Sequence, residues 1–175
     1  MNLMQRLHGH AQPDKAAHDH VYTVSGAPFW VRHYDLVVNL ITLGRTSAIH
    51  QQTLSLTTLR PGDAVLDVGC GTGALLLVAE KLIGSEGMAV GLDVEPAMVE
   101  QAERRAGDSQ AAFEVASIDH IPYADDTFDV AFSTLMYHHL TEAQKAAGIV
   151  ELARVLKPGG RLVVVDINPA RRNIL

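Results

Sequence analysis

The sequence holds a single cysteine, Cys70, among 175 residues, so no disulfide can form within the chain and a reducing compartment is implied. No apolar run approaches the roughly 20 residues of a membrane-spanning helix. The N-terminal Met1-Asn2-Leu3-Met4-Gln5-Arg6 leads into polar, histidine-rich sequence, not into the apolar core of a secretion signal. Together these absences predict a cytoplasmic protein without stable membrane insertion. Basic residues are also scarce, 14 Lys and Arg against 20 Asp and Glu, and no basic run stands out. Nucleic acid is therefore excluded as a default partner, because phosphate neutralisation needs a basic footprint. A small-molecule substrate fits the charge better. Internal repeats are missing, which removes solenoids and propellers.

What is present reads as one soluble domain with a real core: 47% of residues are apolar and 19% charged. The first twenty residues are polar and carry His8, His10, His18 and His20. These look like metal-ligand pairs, but nothing around them fixes a geometry, and no metal site is assigned. From Ala27 to Leu43 the chain turns apolar and helical, with Gly44 as the stop. This stretch is apolar enough to line a lipophilic pocket or to pack on the core. A second helix is expected over Ser47–Leu59, and Pro61-Gly62 then punctuates the chain. Residues 1–58 are accordingly read as a helical cap and 59–175 as the core.

Beyond that border strands and helices alternate, the pattern of a parallel sheet covered by helices. Strands are expected at Ala64–Val68, Met88–Val94, Ala112–Ala116, Phe128–Leu135 and Arg161–Ile167. Helices are expected at Thr72–Ile83, Pro96–Arg105 and Glu142–Leu156, with Lys157-Pro158-Gly159-Gly160 as a turn. The fold class is α/β, a Rossmann-like, doubly wound, mostly parallel sheet.

The chemistry starts at Val65-Leu66-Asp67-Val68-Gly69-Cys70-Gly71-Thr72-Gly73, a strand running into a glycine turn and then a helix. Glycines lack a Cβ, so a ligand can approach the backbone closely there. Asp93 ends the next strand, where a carboxylate can accept hydrogen bonds from ribose hydroxyls. Gly69-Cys70-Gly71-Thr72-Gly73-Ala74 also satisfies the dinucleotide fingerprint, so a nicotinamide oxidoreductase stays open at this point. Asp67 argues the other way. Its anion at the strand mouth suits a ligand ammonium and would be unhelpful beside a pyrophosphate.

Further motifs follow in order: Gly91-Leu92-Asp93-Val94-Glu95-Pro96-Ala97-Met98, Ile121-Pro122-Tyr123-Ala124-Asp125-Asp126-Thr127-Phe128-Asp129, His138-His139-Leu140 and Leu156-Lys157-Pro158-Gly159-Gly160. With the glycine loop, and with His33-Tyr34-Asp35-Leu36 and Leu43-Gly44 before it, they resemble the class I S-adenosylmethionine-dependent methyltransferases. Within these the likeness is to the ubiquinone/menaquinone-biosynthesis C-methyltransferase-like group, over about Phe29 to Asp166. The resemblance implies that Gly69, Cys70, Gly71, Thr72 and Gly73 hold the methionyl part of the cofactor and that Asp67 orients its ammonium. It gives the ribose diol to Asp93 and the adenine face to Val94 and Met98. Ser117 and Ile118 take the adenine edge, Ser117 with a shorter reach than the acidic or Asn residue of many relatives. Ser133 lies under the cofactor and opens onto the transferred methyl group. Methyl transfer needs alignment and exclusion of water more than a catalytic triad, and none is visible. His138 and His139 are candidates for a base or an acceptor contact, with loop support and helix capping as the structural alternative. Tyr22, Tyr34 and Tyr137 are pocket candidates, although buried tyrosines are commonly core residues. Cys70 is expected to turn its side chain into the sheet.

The family's sheet usually continues with a hairpin beyond the fifth strand, whereas this sequence accounts for five strands. Either the sequence is a truncation, or an apolar edge at Leu162–Ile167 calls for cover by a partner or by a second copy of the chain; a homodimer is the expected answer. The leading expectation is methyl transfer from S-adenosylmethionine to a small, aromatic or lipid-like acceptor, yielding S-adenosylhomocysteine. The alternatives are a catalytically inactive, cofactor-binding assembly subunit and the nicotinamide enzyme.

Overall fold

The computed structural model describes residues 27–167. Two helices come first, α1 (Ala27–Ile41) and α2 (Thr46–Thr57). Between them Thr42-Leu43-Gly44 turns the chain, and the Gly44 N–H closes α1 by donating to the Asn39 carbonyl at 2.7 Å. Then strand and helix alternate: β1 (Ala64–Val68), α3 (Ala74–Ile83), β2 (Met88–Asp93), α4 (Pro96–Ala106), β3 (Ala112–Val115), β4 (Phe128–Thr134), α5 (Glu142–Val155) and β5 (Leu156–Val165). All four strand pairings are parallel, in the order β3-β2-β1-β4-β5. This is the expected doubly wound α/β sheet. Order reverses beside β1, so a crevice opens at the carboxyl ends of β1 and β4, where such sheets bind ligands.

β1 is buried at every position, as its unbroken apolar run demands. Its side chains divide the core in two. Val65 joins Leu75, Leu76, Val130 and Phe132 beneath α2, α3 and α4, while Leu66 and Val68 join Leu92, Ala131, Leu152 and Val155 beneath α5.

Two sequence expectations change here. Lys157–Gly160 does not end β5's run as a turn before a strand starting at Arg161. One strand passes through it, and the pairing steps from Phe128↔Leu156 to Val130↔Arg161. The Lys-Pro-Gly-Gly stretch therefore bulges out of the ladder. Pro158 has no N–H to give, and a bulge is where a strand tolerates that. The apolar face of α1 is the second case. Leu36, Leu40, Ile41 and Leu43 are between 67% and 81% exposed, so they neither pack on the core nor line an enclosed pocket. α1 meets the body through α4 and through the turn carrying Tyr34 and Asp35.

α5 is fastened to the segment before β4 by two side chains, Glu151, which accepts from the Ile121 N–H at 2.9 Å, and Arg154. The Arg154 guanidinium donates to the Ile121 carbonyl at 2.9 Å, the Tyr123 carbonyl at 2.7 Å, the Asp125 carboxylate at 2.9 Å and both oxygens of Glu151 at 2.8 Å. Hydrogen bonding from Arg154 holds the Glu151 carboxyl below the usual carboxylate range. Arg154→Ala leaves two part-buried carbonyls without this donor and is expected to cost about 2–3 kcal/mol. The midpoint of urea unfolding measures it.

Candidate active site

Because every strand runs the same way, the residues singled out along the sequence converge on one edge of the sheet. Asp67 stands near the end of β1, 2% exposed, opposite Gly91 of β2 and Phe132 of β4. Burial pushes its carboxyl pKa well up, and the neighbouring Asp93 charge adds to this. A carboxyl so placed resists ionising until a cation comes to it.

The glycine loop leaves β1 with Gly69, Gly71 and Gly73 all at positive φ. Its N–H groups serve the loop itself. Those of Gly69 and Cys70 donate to the Leu92 carbonyl at 2.8 and 3.0 Å, and that of Gly73 to the Cys70 carbonyl at 2.9 Å. The Gly71 N–H donates to Asp93 Oδ2 at 2.8 Å. The glycines thus offer room and shape more than donors. Cys70 turns inward as expected, into the core with Val65 and Phe113, and burial raises its thiol pKa far out of reach. A structural role fits that side chain.

Asp93 holds the loop and the start of α4 together, since its Oδ1 also accepts from the Glu95 N–H at 3.0 Å. A carboxylate has about four acceptor positions, so a diol can still share it. Burial raises this carboxyl too, against the lowering by its backbone donors. Val94, just beyond, is 44% exposed and half-buried Met98 follows on the first turn of α4, so an apolar face is available there.

Thr72 is bound to residues that the sequence reading did not pick. Its hydroxyl donates to Asp35 Oδ1 of α1 at 2.6 Å and accepts from Arg105 of α4 at 2.7 Å, while Arg105 also pairs with Asp35. The loop is thereby pinned from two helices. His50 of α2 lies within reach of the same charges, its pKa lowered chiefly by burial. Tyr34, one residue before Asp35, lies against Gly71: a Cβ built on that glycine would sit 3.5 Å from its ring. Burial, then the Asp93 and Asp35 charges, keep the phenol protonated. Asp35 is the single acidic residue of α1 and stands in the motif His33-Tyr34-Asp35-Leu36, and the sequence attaches no role to it.

On the other side of the crevice, Ser117 and His120 form an isolated bridge after β3, and Ile118 is buried beneath α5. Beyond β4, Leu135 adopts a positive φ of 58° and the chain folds into a short 3-10 helix, Tyr137–His139. Three buried hydroxyls lie on this stretch without a hydrogen-bond partner among the described residues: Ser133 Oγ, Thr134 Oγ1 and Tyr137 OH. Buried hydroxyls are rarely left so.

His138 does not cap the next helix. Thr141 does that, in a reciprocal capping box with Gln144. The His138 N–H instead donates to Asp166 Oδ2, and its ring Nδ1 meets Asp166 Oδ1, both at 2.7 Å. The rings of His138 and His139 lie 3.8 Å apart. Burial, with the neighbouring His138, lowers the His139 pKa and favours its neutral form. Asp166 was read only as part of a strand. Tyr22 lies outside the described residues, as do His8, His10, His18 and His20.

Buried Asp67 and part-buried Asp93, with the Gly69, Cys70, Gly71 and Gly73 N–H groups hydrogen-bonded within the protein, suit a cation carrying a ribose better than a pyrophosphate, which needs free donors and no facing anion. Residues 59–174 match a family model for a methyltransferase domain. The chain belongs to this family. It is 30% identical over 146 residues to the ubiquinone/menaquinone biosynthesis C-methyltransferase UbiE of Marinomonas, covering 81% of this chain and 57% of that protein. The demethylmenaquinone methyltransferase of Lactobacillus johnsonii is 30% identical over 167 residues, covering 93% and 65% respectively. The chain therefore spans between about half and two thirds of the length of these relatives. A solved S-adenosylmethionine-dependent methyltransferase from Aquifex aeolicus superposes with a TM-score of 0.65 at 27% identity, over 81% of this chain and 73% of that one. The methyltransferase fold and its S-adenosylmethionine cofactor, expected from the motifs, stand. Asp67, Asp93, Val94 and Met98, the residues expected to hold that cofactor, gather at the carboxyl ends of β1 and β2 and the start of α4. Among the described residues no helix is long and apolar enough to cross a membrane.

Proposed function

We propose that this protein transfers the methyl group of S-adenosylmethionine to a ring carbon of a reduced quinone or a similarly small, aromatic, lipid-like acceptor. The observation that carries the reading is the set of unpartnered hydroxyls, Ser133, Thr134 and Tyr137, beside the crevice that the two carboxylates border. Hydroxyls left free to bond suit a flat molecule with few polar groups. The names of the relatives, which methylate quinone precursors, support the same acceptor class. When bound, the cofactor supplies an electrophilic methyl group and leaves as a neutral thioether. The chain's own work is to hold and align: Asp67 and Asp93 bind, the Asp35–Thr72–Arg105 cluster fixes the loop, and Tyr34 covers Gly71.

Titration calorimetry with S-adenosylmethionine, S-adenosylhomocysteine and NAD tests the binding half. The first two are expected to bind and NAD is not. Asp93→Ala should weaken S-adenosylmethionine by about 1–3 kcal/mol, roughly ten- to a hundredfold, through lost charge-assisted hydrogen bonds. Unchanged affinity would sink the ribose assignment. Incubation with 1,4-naphthohydroquinone and mass detection of a methyl adduct tests the acceptor half.

A further inference from the structure

We infer that His138 is the general base for this reaction and that Asp166, at the end of β5, is the residue that positions it. The inference rests on the acceptor reading above and adds how the acceptor becomes a nucleophile. It starts from a pairing between segments 28 residues apart in sequence. Asp166 takes two hydrogen bonds from one residue, the backbone N–H and the ring Nδ1 of His138, each 2.7 Å, and a third from the Ile167 N–H at 2.7 Å. A carboxylate only accepts, so the His138 proton sits on Nδ1 and the neutral ring presents Nε2 as an acceptor. The backbone bond fixes the residue and the side-chain bond fixes the ring and its tautomer. Of the two structural tasks open to His138, helix capping is done by Thr141, and loop support is met by the Asp166 pairing itself.

The surroundings suit a base. Among the described residues, the His138 ring pairs with Asp166 and lies 3.8 Å from the His139 ring, the two rings tilted by 43°. Asp166 is the carboxylate that faces the ring as it takes up a proton, and burial with the neighbouring His138 lowers the His139 pKa. The side chains of His138 and Asp166 are 25% and 15% exposed, so the pair is shielded without being sealed off. His138 follows Tyr137 directly and stands four residues past Thr134, on the same stretch of chain as the unpartnered hydroxyls.

The chemistry that this arrangement selects is a hydroxyl-bearing aromatic acceptor. His138 Nε2 takes the hydroxyl proton, and the oxygen's charge is shared with the neighbouring ring carbon. That carbon forms its bond to the methyl group as the methyl–sulfur bond breaks, the electron pair remaining on sulfur. The ring carbon then loses its own proton to water, the oxygen regains the proton held on His138, and the net product is the methylated hydroquinone, the thioether and one proton. An acceptor with a ready lone pair, such as an amine, needs no such base.

The test compares wild type with Asp166→Asn, Asp166→Glu and His138→Gln on 1,4-naphthohydroquinone kept reduced under nitrogen. Affinity for S-adenosylhomocysteine, checked in each, is expected to stay within about twofold, which shows that each variant folds. Asp166→Asn removes the acceptor that holds the ring's Nδ1 proton and orientation, so kcat should drop at least tenfold while KM for the cofactor holds. Asp166→Glu should restore part of the rate, and His138→Gln should lose it. Nitrogen-15 spectra of the imidazoles give a readout independent of turnover, with His138 as the Nδ1–H tautomer in wild type and a mixture of tautomers in Asp166→Asn. An active wild type whose kcat survives both Asp166→Asn and His138→Gln overturns the base assignment alone. A wild type that binds S-adenosylmethionine but methylates no hydroquinone, with the expected tautomer still seen, overturns the acceptor reading and the base role built on it.

Discussion

Gly73→Ala is expected to cost about 2–5 kcal/mol and to remove cofactor binding with it. Gly73 caps α3 at φ 73°, a backbone conformation that charges an L side chain about 1–2 kcal/mol. A Cβ there would also lie 2.7 Å from two carbons of the Phe113 ring and 3.1 Å from the Ala102 methyl. Such overpacking typically adds about 1–3 kcal/mol when the neighbour cannot move. Phe113 cannot easily move. The same ring lies 2.8 Å from where a Cβ on Gly91 would sit, so it is wedged between two glycines from β2 and the loop and is 7% exposed. Gly84 supplies the control, because it too has a positive φ, 70°, but nothing within 4 Å. Gly84→Ala should therefore show the backbone cost alone. Urea unfolding of the two variants separates the contributions, and equal losses at both sites would mean that the Phe113 contact contributes nothing. Trimming the ring in a Gly73→Ala, Phe113→Leu pair should recover part of the difference, a coupling visible in a double-mutant cycle.

This glycine illustrates what the sequence could and could not disclose. The strand–loop–helix rhythm of Val65–Gly73 and the buried run of β1 follow from composition and period, which act over a few residues, and these were legible. The partners of the loop were not. Asp35 reaches Thr72 across 37 positions, Arg105 reaches Thr72 across 33, Asp166 reaches His138 across 28, and none of these spacings has a local signature. The exposed leucines of α1 show the same limit from the other side. Their apolar character is plain in the sequence, but which face of a helix touches the body depends on the elements around it, here α4 and the loop. In the Pro158-Gly159-Gly160 stretch, residues that usually end a strand sit in a bulge because β4 supplies pairing on both sides of it.

Asp67→Asn should change stability and cofactor affinity in opposite directions. The Asp67 carboxyl is buried beside Asp93 and its pKa lies well above the ordinary 3.8. A folded pKa above the unfolded one means that the folded state binds the proton more tightly, so stability falls as pH rises between the two values. Below pH 3.8 both states are protonated and Asp67 costs nothing extra. As pH rises through the folded pKa the penalty reaches its full size, because the unfolded chain then gains from an ionised Asp that the fold discourages. Asparagine keeps the shape and drops the titration. The variant is therefore expected to melt at the same temperature as wild type in strong acid and at a higher one at neutral pH, the gap widening with pH. Binding goes the other way. On the proposed reading the ammonium of S-adenosylmethionine is the cation that lets Asp67 ionise, so the free protein gives up a proton as the cofactor enters. Wild-type affinity should then rise with pH over the interval above 3.8 in which Asp67 remains protonated in the free protein, and calorimetry in two buffers of different ionisation enthalpy should count the released proton. Asp67→Asn should release none and bind about ten- to a hundredfold more weakly, the scale of one lost charged hydrogen bond. A variant that gains stability and keeps full affinity would show that the buried carboxyl does not meet the ammonium.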